Sequence, residues 1–87
     1  MNTLKKPRIG VLGAGAWGTT IANLLSEKND EILIWAREEK IVKSINQSHI
    51  NKEFLSGIKL NKNIKASSNL SEFNNLDFLF VVIPTQY

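Results

Sequence analysis

Residues 8–25 read RIGVLGAGAWGTTIANLL, and this stretch decides the fold because a glycine-rich turn joins two kinds of apolar pattern. Residues 8–12 form a short apolar run that ends at a glycine, as a buried strand does. From Trp17 onward apolar residues recur at helical spacing, so we predict a helix that ends near residues 29–30. The residues predicted to face inward are Ile21, Leu24 and Leu25, together with Trp17 or Gly18.

The alternation of strand and helix continues along the chain. Further strands are predicted at residues 31–35, 64–67 and 78–83, helices at 38–47 and 69–76, and a long loop at 48–63. Such alternation implies a parallel sheet with right-handed crossovers. We therefore predict an α/β fold, the amino-terminal part of a Rossmann fold. It should be a three-layer αβα arrangement around about four parallel strands in the order 3-2-1-4.

The last two predicted elements carry much of the remaining apolar surface. The helix at residues 69–76 should turn Leu70, Phe73 and Leu76 inward. The strand at residues 78–83, FLFVVI, is apolar at every position, as a strand covered on both faces requires. Left unpaired, its edge would be a candidate for dimerisation or aggregation.

Size and composition restrict the functional classes. The 87 residues allow one domain, with 43% hydrophobic and 22% charged residues. A net charge of +3 is explained by lysines on solvated faces, so no nucleic-acid partner is predicted. The chain has no cysteine and no run near the roughly 18–20 apolar residues of a membrane span, so we expect no membrane partner and a cytoplasmic location. His49 has no predicted metal-ligand partner and is expected at the surface.

The three glycines of the turn have the spacing G-x-G-x-x-G, directly after a predicted strand and before a predicted helix. Gly13 would permit the tight turn, Gly15 would let the backbone approach a pyrophosphate, and Gly18 would let the helix lie close to the sheet. The helix amino terminus would attract the phosphates. A turn that merely joins a strand to a helix is the alternative interpretation. In this context the pattern favours dinucleotide binding.

The end of the second strand bears on the choice between NAD and NADP. Ala36 stands where an NAD site usually has an acidic residue, and Arg37 follows it. Arg37 could stack on adenine, pair with a 2′-phosphate, or be a solvated surface residue. Glu38 could reach the ribose or serve only as a first-turn helix acid. The predicted cofactor is therefore NAD or NADP.

Four segments resemble a known family in order and spacing: GAGAWGTTIA, LIWAR, NKEFLSGIKL and VVIPTQ. They are similar to the amino-terminal NAD-binding domain of bacterial NAD(P)-dependent glycerol-3-phosphate dehydrogenases. The resemblance implies that Ala16 and Trp17 contact the cofactor and that Arg37 is its adenine-side ligand. It also implies that Phe54 lines the adenine pocket and that Pro84 belongs to a turn beside the pyrophosphate and nicotinamide.

The chain departs from the family pattern at three of these places. Ala16 replaces a serine, Ala36 replaces a glycine, and Ser56 replaces a proline. The backbone N–H of residue 16 remains for a phosphate. None of the three changes removes the nucleotide site.

The enzymes of this family exchange a hydride between NAD(P)H and dihydroxyacetone phosphate, forming sn-glycerol 3-phosphate for phospholipid synthesis. We expect residues 1–87 to be the amino-terminal part of the dinucleotide-binding domain, without the carboxy-terminal substrate and catalytic domain. No catalytic residue or metal ligand is assigned. Three interpretations remain open: a portion that needs the rest of the enzyme, a stand-alone nucleotide-binding module, and a non-catalytic remnant that self-associates through its last strand.

Overall fold

The computed structural model describes residues 6–82, and their four strands form one parallel sheet. The strands are β1 (Ile9–Leu12), β2 (Ile32–Trp35), β3 (Ile64–Ser67) and β4 (Phe78–Val81). Their order in the sheet is β3-β2-β1-β4, with Ile9 of β1 paired to Ile32 on one side and Phe78 on the other. The predicted α/β class and strand order are confirmed.

Helical segments connect the strands as predicted, although their lengths differ from the prediction. The segments are α1 (Ala16–Ser26), α2 (Glu39–Lys43), a π-helical turn (Ser44–Ser48) and a 3-10 turn (Leu70–Phe73). The π-helical turn directly continues α2, so together they occupy the predicted second helix. The third predicted helix is only the 3-10 turn, which Asn69 caps by accepting a hydrogen bond from Ser71 N at 3.0 Å.

The core lies between one face of the sheet and the helices α1 and α2. It is built from alternate residues of the first three strands, because side chains of a strand alternate between its two faces. Val11, Ile32 and Ile34 are fully buried there. The helical contribution comes from Ala22 of α1, Ile41 and Val42 of α2, and Ile45 of the π-helical turn.

The buried face of α1 differs from the predicted one. Its buried residues are Gly18, Thr19, Ala22 and Ser26. Of the residues predicted to face inward, Gly18 is buried, Ile21 and Leu25 are half-buried, and Leu24 and Trp17 are exposed. An added Cβ at Gly18 would overlap the carbonyl oxygen of Gly13. The helix therefore lies so close to the turn that mainly small side chains fit beneath it.

The second face of the sheet carries less cover. Gly10 points to this face, and an added Cβ there would lie 2.5 Å from Leu76 Cδ1 and 3.2 Å from Phe73 Cδ2. Phe73 and Leu76 thus cover β1 as predicted, whereas Leu70 is exposed, so the prediction for Leu70 is wrong.

Strand β4 is exposed, in contrast to the strand covered on both faces that its sequence predicts. All four residues of Phe78–Val81 are between 40% and 56% exposed. The physical reason is that, within residues 6–82, β4 pairs only with β1 and has little helical cover. The predicted strand exists, but its apolar side chains lack the contacts that would bury them.

The chain leaves the π-helical turn through His49, which adopts a left-handed conformation with φ 57°. His49 N donates to Ile45 O, and its own carbonyl oxygen accepts from Leu60 N at 2.7 Å. The residue is half-buried, so the expectation that it lies at the surface holds only in part. In the described part of the chain, no helix has the length and apolarity to cross a bilayer.

Candidate functional site

The glycine turn, residues 13–18, lies where the carboxyl ends of three strands meet. Gly13 N donates to the carbonyl oxygen of Trp35 at the end of β2. Val82, just after β4, donates from its N–H to Leu12 O at 2.9 Å. The turn is thus held between β2 and β4, at the carboxyl ends of the parallel strands, where ligands of α/β proteins usually bind.

A cleft of about 930 Å³ opens in front of the glycine turn. Seven of the eight predicted site residues line this cleft: Gly13, Gly15, Ala16, Trp17, Gly18, Arg37 and Phe54. The eighth, Pro84, lies outside the described residues. The structure therefore brings together residues from three separate sequence segments.

Two of the three glycines are required by the protein itself. Gly13 has a φ of +120°, and an added Cβ there would overlap the carbonyl oxygen of Val82. An added Cβ at Gly18 would overlap the Gly13 carbonyl group. Both positions therefore exclude larger residues whether or not a ligand binds.

Gly15 differs from these two glycines. Its backbone is extended, with φ −75° and ψ −170°, a conformation that any residue can adopt. A Cβ added at Gly15 would have no protein atom within 4 Å. Neither backbone strain nor crowding by the described residues explains this glycine. Its bare backbone leaves room for a group that approaches from the cleft, such as a phosphate at the amino terminus of α1.

Two exposed aromatic side chains line the cleft. Trp17, in the first turn of α1, is 72% exposed, and Phe54 of the loop after the π-helical turn is 52% exposed. Ile41 of α2 contributes a buried apolar wall. Aromatic rings with one open face are suited to contact a flat heterocycle such as adenine.

The charged groups of the cleft come from the segment after β2. Arg37 is exposed, and among residues 6–82 no carboxylate lies within 4 Å of its guanidinium group. Glu38 is the N-cap residue of α2, and its side chain makes no capping hydrogen bond. Glu39 points elsewhere, because its Oε2 accepts a hydrogen bond from Ser68 Oγ at 2.5 Å. Arg37 and Glu38 are thus the charged residues that line the cleft.

The sequence interpretation missed part of this site. Trp35, at the end of β2, is not among the predicted site residues. It is half-buried, lines the cleft, and its Nε1 donates to Ser68 O at 3.0 Å. Asn51 was not singled out, although its side chain contacts the glycine turn. An asparagine in a polar loop carries no local signal, because this contact joins residues 37 positions apart.

No group of three or more His, Cys, Asp or Glu side chains in residues 6–82 is arranged to hold a metal ion.

Comparison with known proteins agrees with this geometry. Residues 8–87 match the family model described as NAD-dependent glycerol-3-phosphate dehydrogenase N-terminus. A glycerol-3-phosphate dehydrogenase [NAD(P)+] of Parvibaculum lavamentivorans is 42% identical over 85 residues, which are 98% of this chain and 26% of that protein. The corresponding protein of Neorickettsia sennetsu is 43% identical over 76 residues, 87% of this chain and 23% of its own length.

Solved structures give the same assignment. The glycerol-3-phosphate dehydrogenase of Saccharomyces cerevisiae superimposes with a TM-score of 0.86 at 30% identity, covering 92% of this chain and 27% of that one. The Coxiella burnetii enzyme gives a TM-score of 0.80 at 28% identity, covering 91% and 25%. The chain therefore spans about a quarter of the length of the relatives it matches. Because the family model covers nearly all of its residues, this chain belongs to the family of NAD-dependent glycerol-3-phosphate dehydrogenase N-terminal domains.

Proposed function

We propose that this chain binds NAD(H) or NADP(H) at the glycine turn and supplies the cofactor-binding portion of a glycerol-3-phosphate dehydrogenase. The observation that carries the proposal is Gly15, whose missing Cβ leaves open space on the cleft side that no described protein atom fills. Family membership agrees with it, because the matching model is that of the NAD-dependent amino-terminal domain.

Each part of the cleft has a proposed role toward the dinucleotide. The pyrophosphate would lie against Gly15 and the first backbone N–H groups of α1, where the helix dipole favours negative charge. Trp17 would lie at the rim of the turn and pack beside the pyrophosphate. Arg37 would contact the adenosine end, and Phe54 would line the adenine pocket. The proposed role of Pro84 beside the nicotinamide remains a prediction from the sequence.

The proposed reaction of the whole enzyme is hydride exchange between NAD(P)H and dihydroxyacetone phosphate, which yields the glycerol 3-phosphate used in phospholipid synthesis. A group that moves the substrate proton must lie within hydrogen-bond reach of the substrate hydroxyl. We assign no residue of this chain to that task. The chain would orient the cofactor and the rest of the enzyme would supply the substrate site, with the cytoplasm as the proposed compartment.

Calorimetric titration of the chain with NADH and with NADPH tests the cofactor assignment. We expect saturable binding of at least one of them and about tenfold weaker binding by Gly15→Ala, since its methyl group would occupy the phosphate side of the turn. The thermal unfolding midpoint of Gly15→Ala should fall only slightly, because the new Cβ meets no protein atom and the remaining cost is the poorer fit of alanine at the N-cap of α1. No binding of either cofactor at millimolar concentration would reject the assignment.

A complementation assay tests the dehydrogenase part of the proposal. The chain would be produced together with the remaining, unmatched part of the Parvibaculum lavamentivorans relative, and NADH oxidation by dihydroxyacetone phosphate would be followed. We expect activity with the wild-type chain and a large loss with Gly15→Ala. Cofactor binding without activity in the mixture would favour the stand-alone nucleotide-binding module instead.

Arg37→Ala tests the cofactor preference. We expect this change to weaken NADPH binding more than NADH binding, because a forked guanidinium group pairs well with a 2′-phosphate. Glu38→Gln is the matched control on the neighbouring residue, where removal of a negative charge should strengthen NADPH binding. Equal weakening of both cofactors by Arg37→Ala would mean that the side chain stacks on adenine without contacting the extra phosphate.

A further inference from the structure

Asn51 belongs to the loop after the π-helical turn, yet its side chain is fully buried behind the glycine turn. Its Nδ2 donates to the carbonyl oxygen of Ala14 at 2.8 Å and to Thr19 Oγ1 at 2.8 Å. Its Oδ1 accepts a hydrogen bond from Phe54 N at 3.3 Å. One side chain therefore joins the glycine turn, α1 and the loop that carries Phe54 to the cleft.

The bond from Asn51 to Ala14 also determines the direction of the next backbone N–H. A trans peptide unit is planar, so the carbonyl group of Ala14 and the N–H group of Gly15 point in opposite directions. Because Asn51 draws the Ala14 carbonyl toward the buried side, the Gly15 N–H points away from that side. Among residues 6–82 no protein acceptor bonds this N–H.

We propose that Asn51 is a positioning residue for the cofactor: it fixes the Ala14–Gly15 peptide so that the Gly15 N–H faces the pyrophosphate. This inference rests on the proposed dinucleotide binding. Preorganised donors bind a ligand more tightly because their ordering is complete before the ligand arrives. Asn51 would therefore contribute to affinity without touching the cofactor.

The surrounding loop keeps Asn51 itself in place. Its carbonyl oxygen accepts a hydrogen bond from Leu55 N at 2.8 Å. Ser44 Oγ donates a hydrogen bond to the carbonyl oxygen of Ile50, the residue before Asn51. It also accepts one from the N–H of Lys52, the residue after Asn51, at 3.2 Å. Both flanks of Asn51 are thus fixed, so its side chain has little freedom to release Ala14.

The experiment uses Asn51→Asp in the whole chain, titrated with NAD+, which unlike NADH is stable in acid. The ionised carboxylate cannot donate to Ala14, so binding at about pH 8 should be about tenfold weaker than that of the wild type. Burial raises the pKa of the introduced carboxyl. At about pH 5 the carboxyl should be protonated and able to donate its proton to the Ala14 carbonyl, which restores much of the affinity.

Two further variants isolate the effect. Asn51→Leu removes the donor without adding charge, so it should bind NAD+ weakly at both pH values. If Asn51→Asp were weak only because its new charge repels the cofactor, Asn51→Leu would bind NAD+ with wild-type affinity. Asn63→Asp is the matched control at the opposite end of the sheet, where Asn63 Nδ2 donates to the carbonyl oxygens of Ser26 and Asn29 at 2.9 and 2.7 Å. It should lower stability but leave NAD+ affinity within about twofold of the wild type.

The outcomes separate this inference from the proposed function. Failure of the wild type to bind NAD+ would reject the proposed function. In that case NMR still tests the geometry. A coupling between Asn51 Nδ2 and the Ala14 carbonyl carbon detects the hydrogen bond, and residual dipolar couplings give the direction of the Gly15 N–H bond. Wild-type affinity for Asn51→Leu, or equal weakening by Asn63→Asp, would overturn the positioning role. A Gly15 N–H that points into the core would also overturn it. This measurement uses the wild-type chain, so it applies even if the Asn51 variants do not fold.

Discussion

Strands β2 and β4 are both four residues long and wholly apolar, ILIW and FLFV, yet their surroundings are opposite. In β2, Ile32 and Ile34 are fully buried beneath the helices. In β4 no residue is less than 40% exposed. The comparison teaches that an apolar run predicts a strand, whereas its burial depends on which elements pack against it. The glycine turn connects the two regions, because Gly13 bonds Trp35 O and adjoins the Val82 carbonyl.

The largest expected effect is at this junction. Gly18→Ala would place a Cβ into the Gly13 carbonyl group, and neither backbone segment can move without disturbing β1 or α1. We expect the free energy of unfolding to fall by about 4 kcal/mol or more, enough to leave a domain of this size largely unfolded. Chemical denaturation followed by circular dichroism measures it.

Gly15→Ala is the control for Gly18→Ala, because both add one methyl group to the same turn. Its free energy of unfolding should stay within about 1 kcal/mol of the wild type, the cost of alanine at the N-cap of α1. Similar losses in the two variants would show that α1 does not approach the turn as closely as described.

A smaller effect tests the contrast between the covered and exposed strands with one chemical change. Val11→Ala in β1 removes two methyl groups from a fully buried position and should cost about 2 kcal/mol. Val81→Ala in β4 makes the same change at a 55% exposed position and should cost less than about 1 kcal/mol. Urea denaturation of both variants measures the difference. Equal losses would mean that β4 is covered in solution.

The smallest expected effect on stability concerns the exposed edge of β4. The sequence predicts this edge as a candidate for self-association, since an exposed apolar strand is a template for pairing with another chain. Phe80→Thr should reduce association, seen as a lower weight-average mass in sedimentation equilibrium, with little change in the free energy of unfolding. A wild-type chain that stays monomeric over the same concentrations would contradict this prediction.

Much of the fold was predictable because its determinants are local. The apolar run of β1, the glycines and the helical spacing that follows lie within 18 consecutive residues, and the alternation of elements then gives the strand order. The inward face of α1 was predicted only in part: Gly18 is buried, but Leu24 is exposed, because the close approach of Gly18 to Gly13 favours small residues beneath the helix. That approach is a tertiary feature which helical periodicity does not contain.

The candidate site shows the same division. The clustering of Gly15, Trp17 and Arg37 followed from motif and resemblance, and the structure places them around one cleft. Their cofactor roles stay predictions. The contact of Asn51 with Ala14 could not be predicted, because it depends on how the π-helical turn and the left-handed His49 return the loop toward the sheet.

The most direct test of the central claim is an NMR titration of the isotope-labelled chain with NADH. The account predicts that the largest amide shifts occur at Gly15 and in the first turn of α1, with smaller shifts near Arg37 and Phe54. Amide shifts confined to other parts of the chain, or none at millimolar NADH, would contradict the claim that the glycine turn binds the dinucleotide.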